Sequence, residues 1–162
     1  MDLLLLQSMW KVGSIRAEDL HNTATELLEA GIESPAIIRL AGMMGASTSE
    51  VGPVVEEVFR EAGLASVDER TARWRVAYET ARRIVSKEVT PLSGATQLWH
   101  LANDLELPKP LRYFVYLAAD YGEGPEDPAT EKKWFDQRIV ETAQELLSLR
   151  DSIGDSPPPD VD

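Results

Sequence analysis

The chain has 162 residues, of which 43% are apolar, so it is long enough to bury one substantial core. It contains no cysteine, which excludes disulfides, thiolate nucleophiles and cysteine-based zinc sites. Its formal net charge of −12 disfavours contact with the phosphate backbone of nucleic acids and favours cationic partners. The same acidity is also common in proteins that use it only for solubility.

The first residues, Met1 to Gln7, include an apolar run of four leucines. A secretory signal would need a basic start, a longer apolar stretch and a cleavage site with small residues. No run in the chain approaches the ~20 apolar residues that span a membrane. We therefore expect a soluble, cytoplasmic protein.

The first half of the chain reads as four helices with recognisable ends. Ser34-Pro35 is an N-cap followed by a proline at the first helical position. Ser47 and Glu50 have the spacing of a capping box, and Gly31 suits the end of a helix. The helices are predicted from Leu3 to Val12, from Ala17 to Gly31, from Ala36 to Met43 and from Ser47 to Gly63.

The second half also reads as helical. Asp68 to Glu88 is a long helix with an apolar stripe that includes Trp74 and Tyr78, and Thr90-Pro91 starts the next helix, over 91–105. The segment Leu111 to Tyr121 is apolar on nearly every side, which predicts a central helix and the most buried one. The last helix is predicted over 129–151, with Trp134 and Phe135 directed toward a core, and residues 152–162 are predicted to form a disordered, acidic, proline-rich tail.

No segment shows the alternation of apolar and polar residues that is typical of a strand. The fold class is therefore predicted to be all-α, with a single compact bundle of about seven to eight helices in one domain over 1–151.

The two helices around Thr90-Pro91 could form a DNA-binding helix-turn-helix. In that motif the helix after the turn reads the bases. Here the helix before the turn, within 68–88, contains six basic residues, whereas the helix after the turn has no Lys or Arg. We therefore expect no nucleic-acid binding, a basic helix that forms a solvated face paired with acidic residues, and a turn that serves as scaffolding or as a protein contact.

Catalytic and metal-binding patterns are scarce. The two histidines, His21 and His100, have no metal-ligand spacing, and no phosphate-binding loop or nucleophile elbow is present. The acidic turn over 120–127 does not match the spacing of a calcium loop. The sequence therefore predicts a protein that is not an enzyme, with no metal site and no cofactor.

Each of the four tryptophans, Trp10, Trp74, Trp99 and Trp134, lies beside apolar positions of a predicted helix. Core or half-buried packing is expected for each of them. A tryptophan left at the surface would instead be a candidate anchor for a partner.

The segments LLEAGIESPAIIRLAGM (27–43) and ARRIVSKEVTPLSGATQLWHL (81–101) resemble small, uncharacterised, acidic, all-helical bacterial proteins. The resemblance covers about residues 15–121 and brings no catalytic residues to carry over. Such proteins are similar in character to toxin-immunity proteins, which act by binding.

The leading hypothesis is a non-enzymatic protein-binding module, immunity-like or regulatory, that binds a basic protein partner through an acidic surface. Two glycines and two prolines lie within 122–128, which favours an exposed turn with few alternative conformations. The candidate partner-binding residues are Asp120, Tyr121, Glu123, Glu126 and Asp127. The alternative hypothesis is a small helical enzyme or ligand-binding domain with its pocket near Trp99 and His100.

Overall fold

The computed structural model describes residues 1–123 and 128–159, and in those ranges every regular element is helical. The prediction of an all-α chain with seven or eight helices is confirmed. The α-helices are α1 (Leu3–Lys11), α2 (Leu20–Glu29), α3 (Pro35–Ala41), α4 (Thr48–Glu61), α5 (Glu69–Val85), α6 (Pro91–Asp104), α7 (Lys109–Ala119) and α8 (Pro128–Ile153), and a short 3₁₀ turn (Ala17–Asp19) precedes α2.

The N-caps predicted at Ser34, Ser47 and Thr90 are confirmed. In each, a side chain accepts from a backbone N–H group that has no partner inside the helix. Ser34 Oγ accepts from the amide of Ile37 at 3.3 Å. The Glu50 carboxylate accepts from the Ser47 amide at 2.8 Å. Thr90 Oγ1 accepts from the amide of Ser93 at 3.3 Å.

The sequence predicts one domain over 1–151, and within the chain the helices group into two compact units, Met1–Ala72 and Arg73–Asp162. In unit 1, α3 packs against both α2 and α4. The core of this unit consists of aliphatic side chains together with Phe59, including the fully buried Leu6, Leu20, Leu40 and Val55.

In unit 2, α6 packs against α7 and α8, and α7 packs against α8. Each of the helices α5, α6, α7 and α8 contributes at least one of the largest buried side chains of this unit. These side chains are Trp74, Tyr78, Ile84, Leu98, Leu111, Phe114 and Ile139. The rings of Trp74 and Tyr78 lie 5.6 Å apart, so α5 supplies the aromatic part of this core.

The expectation that helix 111–121 is more buried than any other is wrong. Its buried residues are only Leu111, Phe114 and Leu117, which recur every three residues along one face of α7. Tyr113 is 39% exposed and Tyr116 is 61% exposed. A phenol ring counts as apolar in a hydrophobicity pattern, but its hydroxyl tolerates water, and α7 is therefore amphipathic.

The apolar stripe predicted for this helix is buried, since Ala77, Tyr78, Ala81 and Ile84 of α5 are at most 1% exposed. The basic side of α5 is less solvated than expected, because four of its arginines, Arg73, Arg75, Arg82 and Arg83, are half-buried. Pairing with acidic residues is present, as expected: Arg73 Nε lies 3.5 Å from an oxygen of Asp104.

The corner between α5 and α6 is held by charge pairing. Arg82 donates to Glu79 with two bonds of 2.8 Å and to Glu88 with bonds of 2.6 and 2.8 Å. Hydrogen bonds from Arg82 and from Ser86 lower the pKa of Glu88 to about 2. The corner is therefore an intramolecular network of paired charges.

Helix α8 continues through Ile153, two residues into the segment predicted to be a tail. Beyond it, Arg150 Nε contacts Asp155 Oδ1 at 2.6 Å. The Tyr78 hydroxyl donates to the carbonyl of Ser156 at 3.4 Å, and Pro158 is buried. Residues 154–159 thus follow the surface of unit 2.

Candidate partner-binding surface

Two of the four predicted acidic residues, Asp120 and Glu123, lie at the end of α7 and in the residues directly after it. Asp120 caps α7 and is exposed, and its carbonyl accepts from the Glu123 amide at 3.1 Å. Gly122 has φ +79°, a left-handed conformation that favours glycine, and Glu123 is exposed. The structure therefore brings Asp120 and Glu123 into one turn. The predicted residues Glu126 and Asp127 lie outside the described residues.

Tyr121 connects this turn to α8. Its hydroxyl donates to Asp136 Oδ1 at 2.6 Å, and its ring lies 5.6 Å from that of Phe135. Burial and the hydrogen bond to Asp136 raise the pKa of Tyr121 to about 12. Tyr121 is therefore half-buried, and its hydrogen bond to Asp136 fixes the start of the turn against α8.

Trp134 is the residue that sequence reasoning misplaced. It is 52% exposed, so the expected core packing is wrong for this tryptophan. On α8 the buried face is formed by Glu131, Ile139, Thr142, Ala143 and Leu146. Phe135 lies toward this face and is half-buried, whereas Trp134 is about 100° round the helix from it. Because Trp134 is apolar and adjoins the buried stripe of α8, a hydrophobicity pattern counts it as part of that stripe.

The ring of Trp134 nevertheless has a fixed neighbour. It meets the Phe135 ring edge to face, with centroids 4.9 Å apart and planes at 89°. On α7, the ring of the exposed Tyr113 lies under the Arg138 guanidinium, with 5.7 Å between the ring centroid and Arg138 Cζ. This contact links α7 to α8. Glu141 also accepts from Arg138 at 2.6 Å.

We call this region of unit 2 the aromatic–acidic surface. It combines exposed or half-buried rings on α7, the turn and α8 with the carboxylates of the turn. Its described members are Tyr113, Tyr116, Asp120, Tyr121, Glu123, Trp134 and Phe135. The sequence signal for it was the run of tyrosines on α7, which the hydrophobicity pattern assigned to a core.

The other three tryptophans pack as expected. Trp74 is 1% exposed, and Trp10 and Trp99 are half-buried. Near Trp99, the ring of the exposed His100 lies 6.2 Å away with nearly parallel planes.

Each unit has a concave region among its described residues. A groove of about 550 Å³ in unit 1 is lined by residues of α1, α4 and the segment after α4, including Trp10 and Phe59. A smaller one of about 270 Å³ in unit 2 lies between α7 and α8, beside Tyr113. Neither is lined by Trp99 or His100. Sequence reasoning did not predict the larger groove, for which the only signal was the aromatic side chain of Trp10.

Within residues 1–123 and 128–159, no three His, Asp or Glu side chains converge as metal ligands. In the same ranges, no helix combines the length and the hydrophobicity needed to cross a bilayer.

Comparison with protein-family models, with curated proteins and with solved structures gives no match for this chain.

Proposed function

We propose that this protein is a cytoplasmic, non-enzymatic binding module, immunity-like or regulatory, that holds a basic protein partner on its aromatic–acidic surface. The observation that carries the proposal is the exposure of Trp134 on a fixed aromatic neighbour, beside a turn whose carboxylates face solvent. Tryptophan and tyrosine are enriched among the residues that contribute most to binding energy in protein interfaces.

The two parts of the surface have different roles in this proposal. The carboxylates of Asp120 and Glu123, with those of Glu126 and Asp127, attract Lys and Arg side chains of the partner and speed the encounter. The rings of Trp134 and Tyr116 supply apolar contact area, and an aromatic face also attracts a cationic side chain. Tyr121 holds the start of the turn in place through Asp136, so this part of the surface is formed before binding.

The test is quantitative capture of partners from the native host. The association and dissociation rates of the captured protein are then measured. We expect Trp134→Ala to increase the dissociation rate by about tenfold or more, because loss of an interface tryptophan commonly costs over ~1.4 kcal/mol. Met44→Ala, which removes a 77% exposed side chain from unit 1, is the matched control and should leave binding unchanged.

A second variant tests the carboxylates. Replacing Asp120, Glu123, Glu126 and Asp127 by Asn or Gln should slow association and weaken its dependence on salt. The control makes the same change in charge elsewhere, with Glu26→Gln, Glu29→Gln, Glu33→Gln and Asp151→Asn. Equal effects of the two sets would mean that only net charge matters, and a partner retained equally by all variants would exclude this surface.

A further inference from the structure

The groove of unit 1 is separate from the proposed function, because every residue that lines it belongs to Met1–Ala72. It lies between α1 and the C-terminal half of α4, and the irregular segment after α4 closes one side. Gln7, Trp10 and Lys11 contribute from α1, and Glu56, Phe59 and Arg60 contribute from α4. Its volume of about 550 Å³ falls in the ~300–1,000 Å³ range of small-molecule sites.

Hydrogen bonds inside the unit hold the walls of this α1–α4 groove. The Trp10 indole N–H donates to Glu56 Oε1 at 3.2 Å, which fixes the ring against α4. Gln7 is 7% exposed, and its side-chain amide donates to the Ala65 carbonyl at 3.0 Å, which ties the irregular segment to α1. The groove is therefore preformed, which lowers the ordering cost of binding a ligand.

The charges along the groove are opposite in sign to those of the chain as a whole. Lys11 and Arg60 carry two positive charges and Glu56 carries one negative charge, so the lining has a formal charge of +1 in a chain of −12. Arg60 contacts Glu57 at 3.1 Å, but its side chain is 74% exposed and its guanidinium has five N–H donors. Lys11 is also exposed, at the end of α1.

We propose that the α1–α4 groove binds a small organic anion that has a flat apolar body and one carboxylate. The apolar body packs against the half-buried ring of Trp10 and the small exposed part of Phe59, and the carboxylate pairs with Lys11 and Arg60. One oxygen of Glu56 accepts the Trp10 N–H, and the negative charge of Glu56 partly opposes the binding of an anion.

The test uses 2-naphthoate as the probe, with 2-naphthylmethanol and 2-naphthylmethylammonium as neutral and cationic analogues of similar shape. Titration calorimetry of the full chain should show that the carboxylate binds about tenfold more tightly than the alcohol, because charge-assisted hydrogen bonds are the stronger ones. The ammonium compound should bind more weakly than the alcohol. An ammonium compound that binds as tightly as the carboxylate would overturn the proposal.

Variants then locate the site. Lys11→Gln with Arg60→Gln should reduce naphthoate affinity to that of the alcohol and leave the alcohol unaffected. The control, Arg112→Gln with Lys132→Gln, removes two exposed cations from unit 2 and should change neither affinity.

A measurement on the unmodified protein keeps the test independent of any effect of the variants on folding. In NMR spectra, naphthoate should shift the Trp10 indole N–H resonance more than those of Trp74, Trp99 and Trp134. A shift confined to Trp134 would place the compound on the aromatic–acidic surface and exclude the groove. The outcome for the groove is independent of whether a basic protein partner exists.

Discussion

At the scale of single residues, the corner between α5 and α6 depends on the absence of a side chain at Gly94. This glycine lies on the buried side of α6, directly against Ile84 of α5. A Cβ atom built there would lie 2.3 Å from Ile84 Cγ1 and 2.6 Å from its Cδ1. Because Ile84 is 1% exposed, its β-branched side chain has little room to move.

We expect Gly94→Ala to lower the free energy of unfolding by about 1–3 kcal/mol, the usual cost of overpacking a core, despite the higher helix propensity of alanine. Denaturant unfolding measures the change. Gly42→Ala is the control, because its φ is −82° and its Cβ would meet only backbone oxygens, that of Arg39 at 3.4 Å and that of Ile38 at 3.9 Å.

A double-mutant cycle with Ile84→Ala tests the stated cause. If the clash is with Ile84, the cost of Gly94→Ala should largely disappear in the Ile84→Ala background. Additive costs would show that the contact between these two residues is not the reason.

At the scale of helices, caps and turns could be predicted from the sequence. Which side chains face the core and which face solvent could not. Ser34-Pro35 and Thr90-Pro91 act through bonds that reach only three residues along the chain, so the local sequence contains the necessary information. The exposure of Tyr116 and Trp134 depends on which helices pack against α7 and α8. That information is spread over the whole chain.

The sequence also had no means of locating the groove of unit 1. Its walls join Gln7 to Ala65, 58 positions apart, and Trp10 to Glu56, 46 positions apart. A hydrophobicity pattern follows one helix at a time and does not detect such pairs. The acidic turn was easier to predict, because Asp120 and Glu123 are neighbours in sequence.

The amphipathic character of α7 leads to a prediction at this scale. Leu117 is 2% exposed, and Leu117→Asp should unfold unit 2, because an unpaired buried charge costs several kcal/mol against a typical total stability of ~5–15 kcal/mol. Tyr116→Asp, one residue away and 61% exposed in the native side chain, should change stability by only about 0.5 kcal/mol. Thermal unfolding followed by circular dichroism compares the two variants. Similar losses would mean that α7 is buried on both sides, as the sequence alone suggested.

At the scale of the whole molecule, the formal charge of −12 does not exclude locally positive regions, and the balance between acids and bases differs from place to place. The lining of the groove has a positive excess, the aromatic–acidic surface has exposed carboxylates, and the arginines at the end of α5 are paired. Net charge alone would predict the same behaviour for all three. The pairing of individual side chains is what distinguishes them.

The pairing of the arginines in α5 determines whether the protein is expected to bind DNA. Helix α5 has the arginine content of a nucleic-acid contact, but four hydrogen bonds join Arg82 to Glu79 and Glu88, and Arg83 Nε lies 3.8 Å from Glu88. A phosphate would have to displace these carboxylates in a chain that repels polyanions. We therefore expect no binding of a labelled duplex in fluorescence anisotropy, even at low salt, where nonspecific attraction is strongest. Glu79→Gln with Glu88→Gln frees the two arginines and should produce weak binding that disappears by ~0.2 M salt. Binding by the unmodified protein that survives this salt concentration, and that Arg82→Gln with Arg83→Gln removes, would show that α5 contacts nucleic acid despite its paired charges.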